Sequence, residues 1–309
     1  VTVGQKHKIT AMLGQEAQKS NWEGSVVTKK NFSSNDIQVL SEGDDVTSRT
    51  SGWKDGAAIE SYFGRFNYNL SERYLFTFTM RADGSSKFGP ENRWGYFPSG
   101  SFAWRLGEED FMKSLHTDVK LRIGYGEVGN QAIGNYLFGS ALQTINTPFG
   151  TAYRLQQIAN PKLKWEATQQ WNLGIDLSLL KGRVDMTIDL YQKRTNDMLL
   201  QLSVPSYLGG SGYNDIRAPF ANVGQMENKG IDLSLNSRNI KNDNFSWNTD
   251  FTLSLNRNKV VALDDDSRIY WRNLYWYSEF QTATRTGVGL PLGQFYGYVT
   301  DGLFSSQED

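Results

Sequence analysis

Hydrophobic and polar residues alternate with a period of two through most of the chain, which places successive side chains on opposite faces of extended strands. Tyr74, Phe76, Phe78 and Met80 alternate with Thr77, Thr79, Arg81 and Asp83; Val119, Leu121, Ile123 and Tyr125 alternate with Lys120, Arg122, Gly124 and Gly126. The pattern returns where Trp171, Leu173, Ile175 and Leu177 oppose Gln170, Asn172, Gly174 and Asp176, and where Val184, Met186, Ile188 and Leu190 oppose Asp185, Thr187, Asp189 and Tyr191. It recurs with Ile231, Leu233 and Leu235 against Asp232, Ser234 and Asn236, and with Trp247, Phe251, Leu253 and Leu255 against Asn248, Asp250, Thr252 and Ser254. Less regular strands are predicted at 7–17, 58–70 and 95–106. Many of these runs reach about ten residues, longer than the usual globular strand and enough for a tilted strand to cross a bilayer.

The predicted connections alternate in length. Short ones fall at Ser71–Glu72, Gly107–Thr117, Lys181–Gly182 and Arg238–Asn244; long ones at 19–57, 84–94, 127–164, 195–222 and from 257 onward. Short periplasmic turns alternating with long extracellular loops are the rule in outer-membrane barrels. The fold expected is all-β: an antiparallel up-and-down transmembrane β-barrel, incomplete, with about nine to eleven strands and long extracellular loops. With the short turns periplasmic, Tyr68, Tyr74, Trp104 and Trp247 fall near that end, and Tyr125 and Trp165 near the other, as two interfacial aromatic belts require. Trp171 falls mid-strand.

Composition agrees. The 309 residues are 13% aromatic, yet mean hydropathy is −0.52, as when apolar side chains are spread thinly along strands. No run approaches the roughly 18 apolar residues of a membrane-spanning helix. A formal net charge of −1 gives no reason to expect a nucleic-acid partner, and the absence of cysteine excludes disulfides and thiolate metal sites. Val1 opens directly into polar sequence without a signal peptide, as expected of a fragment or a processed chain.

Several local motifs resemble SusC/RagA-like TonB-dependent outer-membrane transporters. They are Arg81-Ala82-Asp83-Gly84-Ser85-Ser86-Lys87-Phe88-Gly89; Trp94-Gly95-Tyr96-Phe97-Pro98-Ser99 with Ala103-Trp104; and Glu108-Glu109-Asp110-Phe111-Met112. Gly124-Tyr125-Gly126 with Gly129-Asn130, Asn160-Pro161-Lys162-Leu163-Lys164-Trp165-Glu166, Asn228-Lys229-Gly230-Ile231-Asp232 and the run from Gly289 to Tyr298 follow in the same order. The resemblance implies a plugged barrel of about 22 strands. It implies import of an oligomeric glycan or peptide, with energy from the TonB complex and a SusD-like surface lipoprotein as lid, in the bacterial outer membrane. The plug domain, the TonB box and the remaining strands are expected outside residues 1–309, so the function is that of the parent protein. A passive porin-like channel and a soluble carbohydrate-binding β-sandwich stand as alternatives.

Candidate chemistry is sparse, and no enzyme activity or cofactor is expected. Gly124, Gly126 and Gly129 match a dinucleotide fingerprint in spacing, but Asn130–Asn135 is a poor helix, and the glycines more plausibly relieve crowding at a strand end. Asp264-Asp265-Asp266 lacks the spacing of a calcium loop and reads as a solvated run; His7 and His116 stand apart from each other. The aromatic run containing Tyr270, Trp271, Tyr275, Trp276 and Tyr277 could stack on sugar rings, meet a lid, or pack loop against loop. The polar faces, with Arg81, Asp83, Arg122, Asp176, Asp189, Asp232 and Asp250, are expected to line the lumen; their mixed signs suit contact with a plug and water rather than a single-sign ion filter.

Overall fold

Period-two alternation becomes one meandering antiparallel sheet in the computed structural model, which describes residues 2–4, 6–37, 39–113, 117–202, 216–276, 279–297 and 299. In chain order the strands are β1 (Thr2–Val3), β2 (His7–Lys30), β3 (Asp44–Leu70), β4 (Tyr74–Ser85), β5 (Trp94–Arg105) and β6 (Asp118–Asn130). A separate hairpin, β7 (Ala141–Thr147) and β8 (Gly150–Gln157), interrupts the meander. It resumes with β9 (Glu166–Leu179), β10 (Val184–Gln201), β11 (Phe220–Lys241) and β12 (Ser246–Ala262). Each strand pairs with its neighbour in sequence, except that β6 pairs with β9 across the inserted hairpin. β13 (Tyr270–Trp276), β14 (Glu279–Thr286) and β15 (Gln294–Phe295) form a small third sheet. The main sheet does not close on itself; β1 and β12 are its edges.

Register converts the alternation into two opposed surfaces. Ile9, Tyr68, Phe76, Phe102, Ile123, Leu173, Leu190, Ile231 and Leu255 stand side by side across nine strands, an unbroken apolar row. One residue toward the short turns, on the other face, stand Lys8, Asn69, Leu75, Ala103, Arg122, Gly174, Asp189, Asp232 and Ser254. Burial is inverted relative to a water-soluble protein. Phe78, Trp171 and Leu255 are each more than half exposed, whereas Ser61 is 1% and Asp83 6% exposed. An apolar surface this extensive is stable only against lipid, so the apolar face is the outer one. This inversion removes the soluble-sandwich alternative, whose apolar face would be packed.

Two further outer rows show how the sheet lies in the bilayer. One starts with His7, Leu70, Tyr74 and Trp104 and continues as Leu121, Ile175, Ile188, Leu233 and Leu253. The other starts with Ala11, Phe66, Phe78 and Gly100, passes through Tyr125 and Trp171, and ends in Gln192, Lys229 and Arg257. The first climbs from a polar-aromatic boundary into hydrocarbon, and the second from hydrocarbon through aromatics into water. Rows perpendicular to strands must cross the membrane obliquely when strands tilt by about 40°.

Two short turns of the main sheet use consecutive left-handed residues, Ser71 and Glu72 (φ 56° and 56°) and Leu180 and Lys181 (φ 55° and 59°), a geometry that matches the twist of the flanking strands. The long connections are shorter than the sequence suggests, because strands run on past the membrane. The connection expected at 19–57 is mostly strand: β2 and β3 pair without a register break from His7↔Leu70 to Thr28↔Arg49. Beyond Ile59, where β4 ends its pairing, they form a two-stranded arm, tied near its base by Asn135 Nδ2, which donates to Asp55 at 2.7 Å. The connection expected at 195–222 begins only after Gln201 and ends at Phe220; that expected at 127–164 contains β7 and β8.

Apolar packing is concentrated at the long-connection end, where Phe88 and Leu163 are fully buried together with Phe97, Ile133 and Trp165. Trp165 therefore belongs to this buried knot and not to an outer aromatic belt; its Nε1 donates to the Arg93 carbonyl at 2.9 Å. The opposite belt is present, with Tyr74 and Trp104 stacked 6.2 Å apart and Trp247 exposed at the start of β12.

Candidate functional site

Among the described residues, polar chemistry is organised on the inner wall, in the knot at its mouth, around Glu109 at the short-turn end and in the small third sheet.

On the inner wall, Arg81 of β4 lies opposite Phe63 of β3 and stacks over its ring at 5.5 Å. Its Nε donates to Asp83 at 2.8 Å and its Nη2 to Ser61 at 2.9 Å. Nearer the short turns, Arg122 of β6 reaches across β9 to two carboxylates, Asp176 at 2.9 Å and Asp189 of β10 at 3.0 Å. That reach depends on Gly174, which sits directly between Arg122 and Asp189; a Cβ there would come within 2.5 Å of the Asp189 carboxylate and 2.6 Å of the guanidinium. Asp232 accepts from Ser254 Oγ at 2.5 Å, and Asp250 is exposed. All seven predicted inner residues thus fall on the polar face, where Arg122 and Lys120 (3.5 Å from Asp176) balance the carboxylates of Asp176 and Asp189, while Asp232 and Asp250 have no cation within 4 Å among the described residues.

The segment after Arg81 builds the mouth. Ser86 bridges to Ala58, donating its N–H to the Ala58 carbonyl and accepting the Ala58 N–H at its hydroxyl. Lys87 Nζ donates to the carbonyls of Gln131 (3.3 Å) and Ile133 (2.7 Å), and Ser85 hydrogen-bonds the Gln131 side chain. Phe88 packs on Trp165 at 5.2 Å, which meets Phe97 edge-on at 5.5 Å. The Phe97 ring lies over Gly129, where a Cβ would meet it at 2.1 Å. That crowding accounts for one glycine of the dinucleotide-like spacing, and a turn follows β6 where a nucleotide-binding helix would have to start. Glu166 accepts from Asn130 (3.0 Å) and from the Leu199 N–H (3.0 Å), and Asn160 donates to the Phe220 carbonyl (2.7 Å). The sequence motifs around 81–89, 124–130 and 160–166 are therefore one scaffold, which ties the loops together through buried rings and backbone carbonyls.

At the short-turn end, the carboxylate of Glu109 accepts from Tyr74 Oη (2.8 Å), Trp104 Nε1 (3.0 Å) and Arg73 Nη1 (3.0 Å). The Tyr74 hydroxyl above all, then the indole and the Arg73 charge, hold its pKa below the ordinary carboxylate value.

In the third sheet the aromatic run divides. Tyr270 turns toward Asp264, to which its hydroxyl donates, with Arg268 over its ring at 5.3 Å. Its neighbour Trp271, on the opposite face of β13, is 47% exposed, lies opposite Arg285 in register and meets Tyr296 edge-on at 4.9 Å. Arg285 in turn stacks on Tyr296 at 5.4 Å and donates from Nε to Gln294 at 3.1 Å. Tyr275 and Trp276 lie on β13, but their side chains, and Tyr277 altogether, fall outside the described residues. The sheet is seated on the long-connection end of β12 by Val260 N–H to the Leu290 carbonyl (2.9 Å) and Leu292 N–H to Asn258 Oδ1 (2.7 Å). Arg285 is the residue the sequence did not single out, and Gln294 and Tyr296 stand in it only as part of the run from Gly289 to Tyr298, without a role: Arg285 stands apart from them in the chain and meets them through the pairing of β14 with β15. The acidic run forms local turns: Asp265 accepts from Ser267, and Asp266 from the Leu263 N–H. Among the described residues, no group of three or more His, Cys, Asp or Glu side chains is placed to hold a metal ion.

The model of the family described as "TonB dependent receptor-like, beta-barrel" matches residues 8–303. TonB-dependent receptor P3 of Formosa agariphila is 34% identical over 305 residues, covering 96% of this chain and 30% of that protein. TonB-dependent receptor SusC of Bacteroides thetaiotaomicron is 40% identical over 224 residues, 69% of this chain and 22% of that protein. The solved structure of the RagAB peptide transporter superposes with a TM-score of 0.81 at 28% identity, covering 96% of this chain and 32% of that one. The chain thus spans about a third or less of the proteins it resembles.

Proposed function

This chain belongs to the TonB dependent receptor-like β-barrel family of the bacterial outer membrane, and from that membership we propose that its parent protein actively imports an oligomeric nutrient, glycan or peptide, with energy from a TonB complex. The observation that carries the proposal is the pairing of a lipid-facing barrel wall with a heavily built long-connection end. Here three motifs, the β2–β3 arm, the β7–β8 hairpin and the third sheet are all invested in the outer mouth, where a large ligand is captured.

A SusD-like surface lipoprotein is the proposed lid over that mouth, and a plug carried elsewhere in the parent is the proposed occupant of the lumen. Arg81 and Asp83 are already satisfied by Ser61 and each other, so they shape the wall; Arg122, Asp176, Asp189, Asp232 and Asp250 are the proposed plug contacts. Trp271, half exposed and braced by Tyr296 and Arg285, is the proposed ligand platform, and Tyr270, committed to Asp264, is its support. Oligomer import follows the peptide cargo named for RagAB; the half-exposed indole suits a sugar ring equally well.

Uptake of fluorescently labelled oligosaccharides and oligopeptides by cells carrying the full-length parent, with and without TonB, tests the proposal. Accumulation of one class that stops without TonB is expected. Uptake that is unchanged without TonB would make the protein a passive channel instead.

A further inference from the structure

We infer that the outer face of β10–β12, just above the apolar belt, is a binding site for the phosphate groups of an outer-leaflet glycolipid. The inference rests on membrane embedding and register and is independent of what the parent transports.

Depth comes first. On the outer face of β12, Trp247 marks the short-turn boundary and Phe251, Leu253 and Leu255 follow it; the next outward position is Arg257, ten residues from Trp247. At about 3.3 Å per residue and a tilt of about 40°, ten residues rise about 25 Å, the height of the apolar band of an outer-membrane barrel. Arg257 and then Lys259 therefore stand at the headgroup level of the outer leaflet. The aromatic pair Tyr125 and Trp171, 4.7 Å apart, lies on the same oblique cross-strand row as Arg257 but several strands earlier on its climb, so the row passes from hydrocarbon through aromatics before it reaches Arg257.

Charge is the second observation. Two adjacent rows meet here, Gln192–Lys229–Arg257 and Arg194–Glu227–Lys259, all on the outward face and all exposed except Glu227. Four cations thus face one carboxylate, and that carboxylate is committed: Glu227 pairs with Lys229 at 2.9 Å and accepts from Gln192 at 2.8 Å. Arg194 donates to Gln225 at 3.2 Å, an uncharged partner. Arg257 and Lys259 have no carboxylate within 4 Å among the described residues. Neighbouring strands are about 4.8 Å apart, so this cluster is compact enough for two or three cations to hold one phosphate, and its guanidinium groups suit bidentate contact with phosphate oxygens. An exposed basic patch at the rim of a hydrocarbon surface matches a molecule with acyl chains below and phosphate at the same height. A soluble anion or an acidic protein surface has no need of that depth.

The test uses the full-length parent purified in mild detergent from outer membranes, with bound lipid identified and quantified by mass spectrometry. Phosphorylated glycolipid should remain with the wild type, and the double variant Arg257→Gln, Lys259→Gln should retain at least about fivefold less. The single variant Lys259→Arg should retain it, which guards against a folding defect, as does unchanged heat-modifiability of the barrel on a gel. In nanodiscs, phosphorylated glycolipid should raise the unfolding temperature of the wild type more than the enzymatically dephosphorylated form does. Equal retention by the double variant, or equal stabilisation by the dephosphorylated lipid, would overturn the inference. Stabilisation by inorganic phosphate alone to the same extent would make it a soluble-anion site and overturn it as well. So would a double variant that keeps its lipid but loses a co-purifying surface protein.

Discussion

Single side chains in this protein are judged by which face they take, and the same chemistry has opposite consequences one residue apart. Phe78 faces lipid and Thr79 the lumen, where Arg65 donates to the Thr79 hydroxyl. Replacing Phe78 with arginine should destabilise the full-length barrel by about 2–4 kcal/mol, whereas Thr79→Arg should cost less than about 1 kcal/mol; reversible urea unfolding in lipid vesicles measures both, and equal effects would abolish the assignment of faces. Gly174→Val should cost about 1–3 kcal/mol by the same assay, because the added carbons occupy the space through which Arg122 reaches Asp189. Glu109 titrates with a definite sign. Its folded pKa is depressed, so its contribution is present above the ordinary value of 4.5 and lost as pH falls through the lower folded value. The wild type should therefore be more stable than Glu109→Gln at neutral pH, and the difference should narrow as pH falls below the ordinary value of 4.5; a difference that does not narrow with acidification would remove the charge from the explanation. Alternation and loop sorting exposed the faces of Phe78 and Thr79 in advance. The bridge over Gly174 was not legible, since Arg122, Gly174 and Asp189 lie far apart in sequence and only register aligns them.

Strands and turns show the limit of reading by period. Alternation found the membrane-crossing part of every long strand, because only there does one face touch lipid while the other touches water. It failed for the outer halves of β2 and β3, whose faces are both solvated: Glu23 pairs with Lys54 at 3.1 Å, and Trp53 lies over Gly24, with no period-two pattern to announce a strand. The motif at 81–89 was legible as a family mark but not as a knot, because its partners at 58, 131, 133 and 165 are set by tertiary contact. Trp165 was misplaced for that reason: an aromatic at a strand end looks the same whether it points at lipid or into a loop core. The turn at 180–181 offers a test at this scale. Leu180 and Lys181 hold left-handed backbone angles that cost L-residues about 1 kcal/mol each. Replacing them with Asn-Gly should stabilise the barrel by about 1 kcal/mol or somewhat more and speed its assembly into vesicles, followed by the gel shift of the folded form. A neutral or harmful result would show that these side chains make compensating contacts at the periplasmic surface.

For the whole molecule, the mouth and the wall should be separable by mutation. Trp271→Ala in the intact parent should weaken ligand binding by about 1 kcal/mol while leaving assembly, and hence the heat-modifiable band, unchanged; normal binding with a lower yield of folded barrel would make the indole structural. The aromatic run was visible in the sequence as a candidate, yet its division into a supporting Tyr270 and an accessible Trp271 follows only from the two faces of β13. The oblique rows of the outer surface have a consequence for how altitude is encoded. Each step to the next strand moves about 4.8 Å sideways and, with a tilt of about 40°, climbs about 3 Å. From Ile9 to Leu255 the wall therefore works as a ramp, rising through most of the hydrocarbon without leaving a single line of paired residues. Spin labels placed one at a time along that line should report an oxygen accessibility that rises to a maximum where the line crosses the midplane and falls on either side of it, so that a contour of equal depth is a diagonal across the strands and never a rung of the hydrogen-bond ladder.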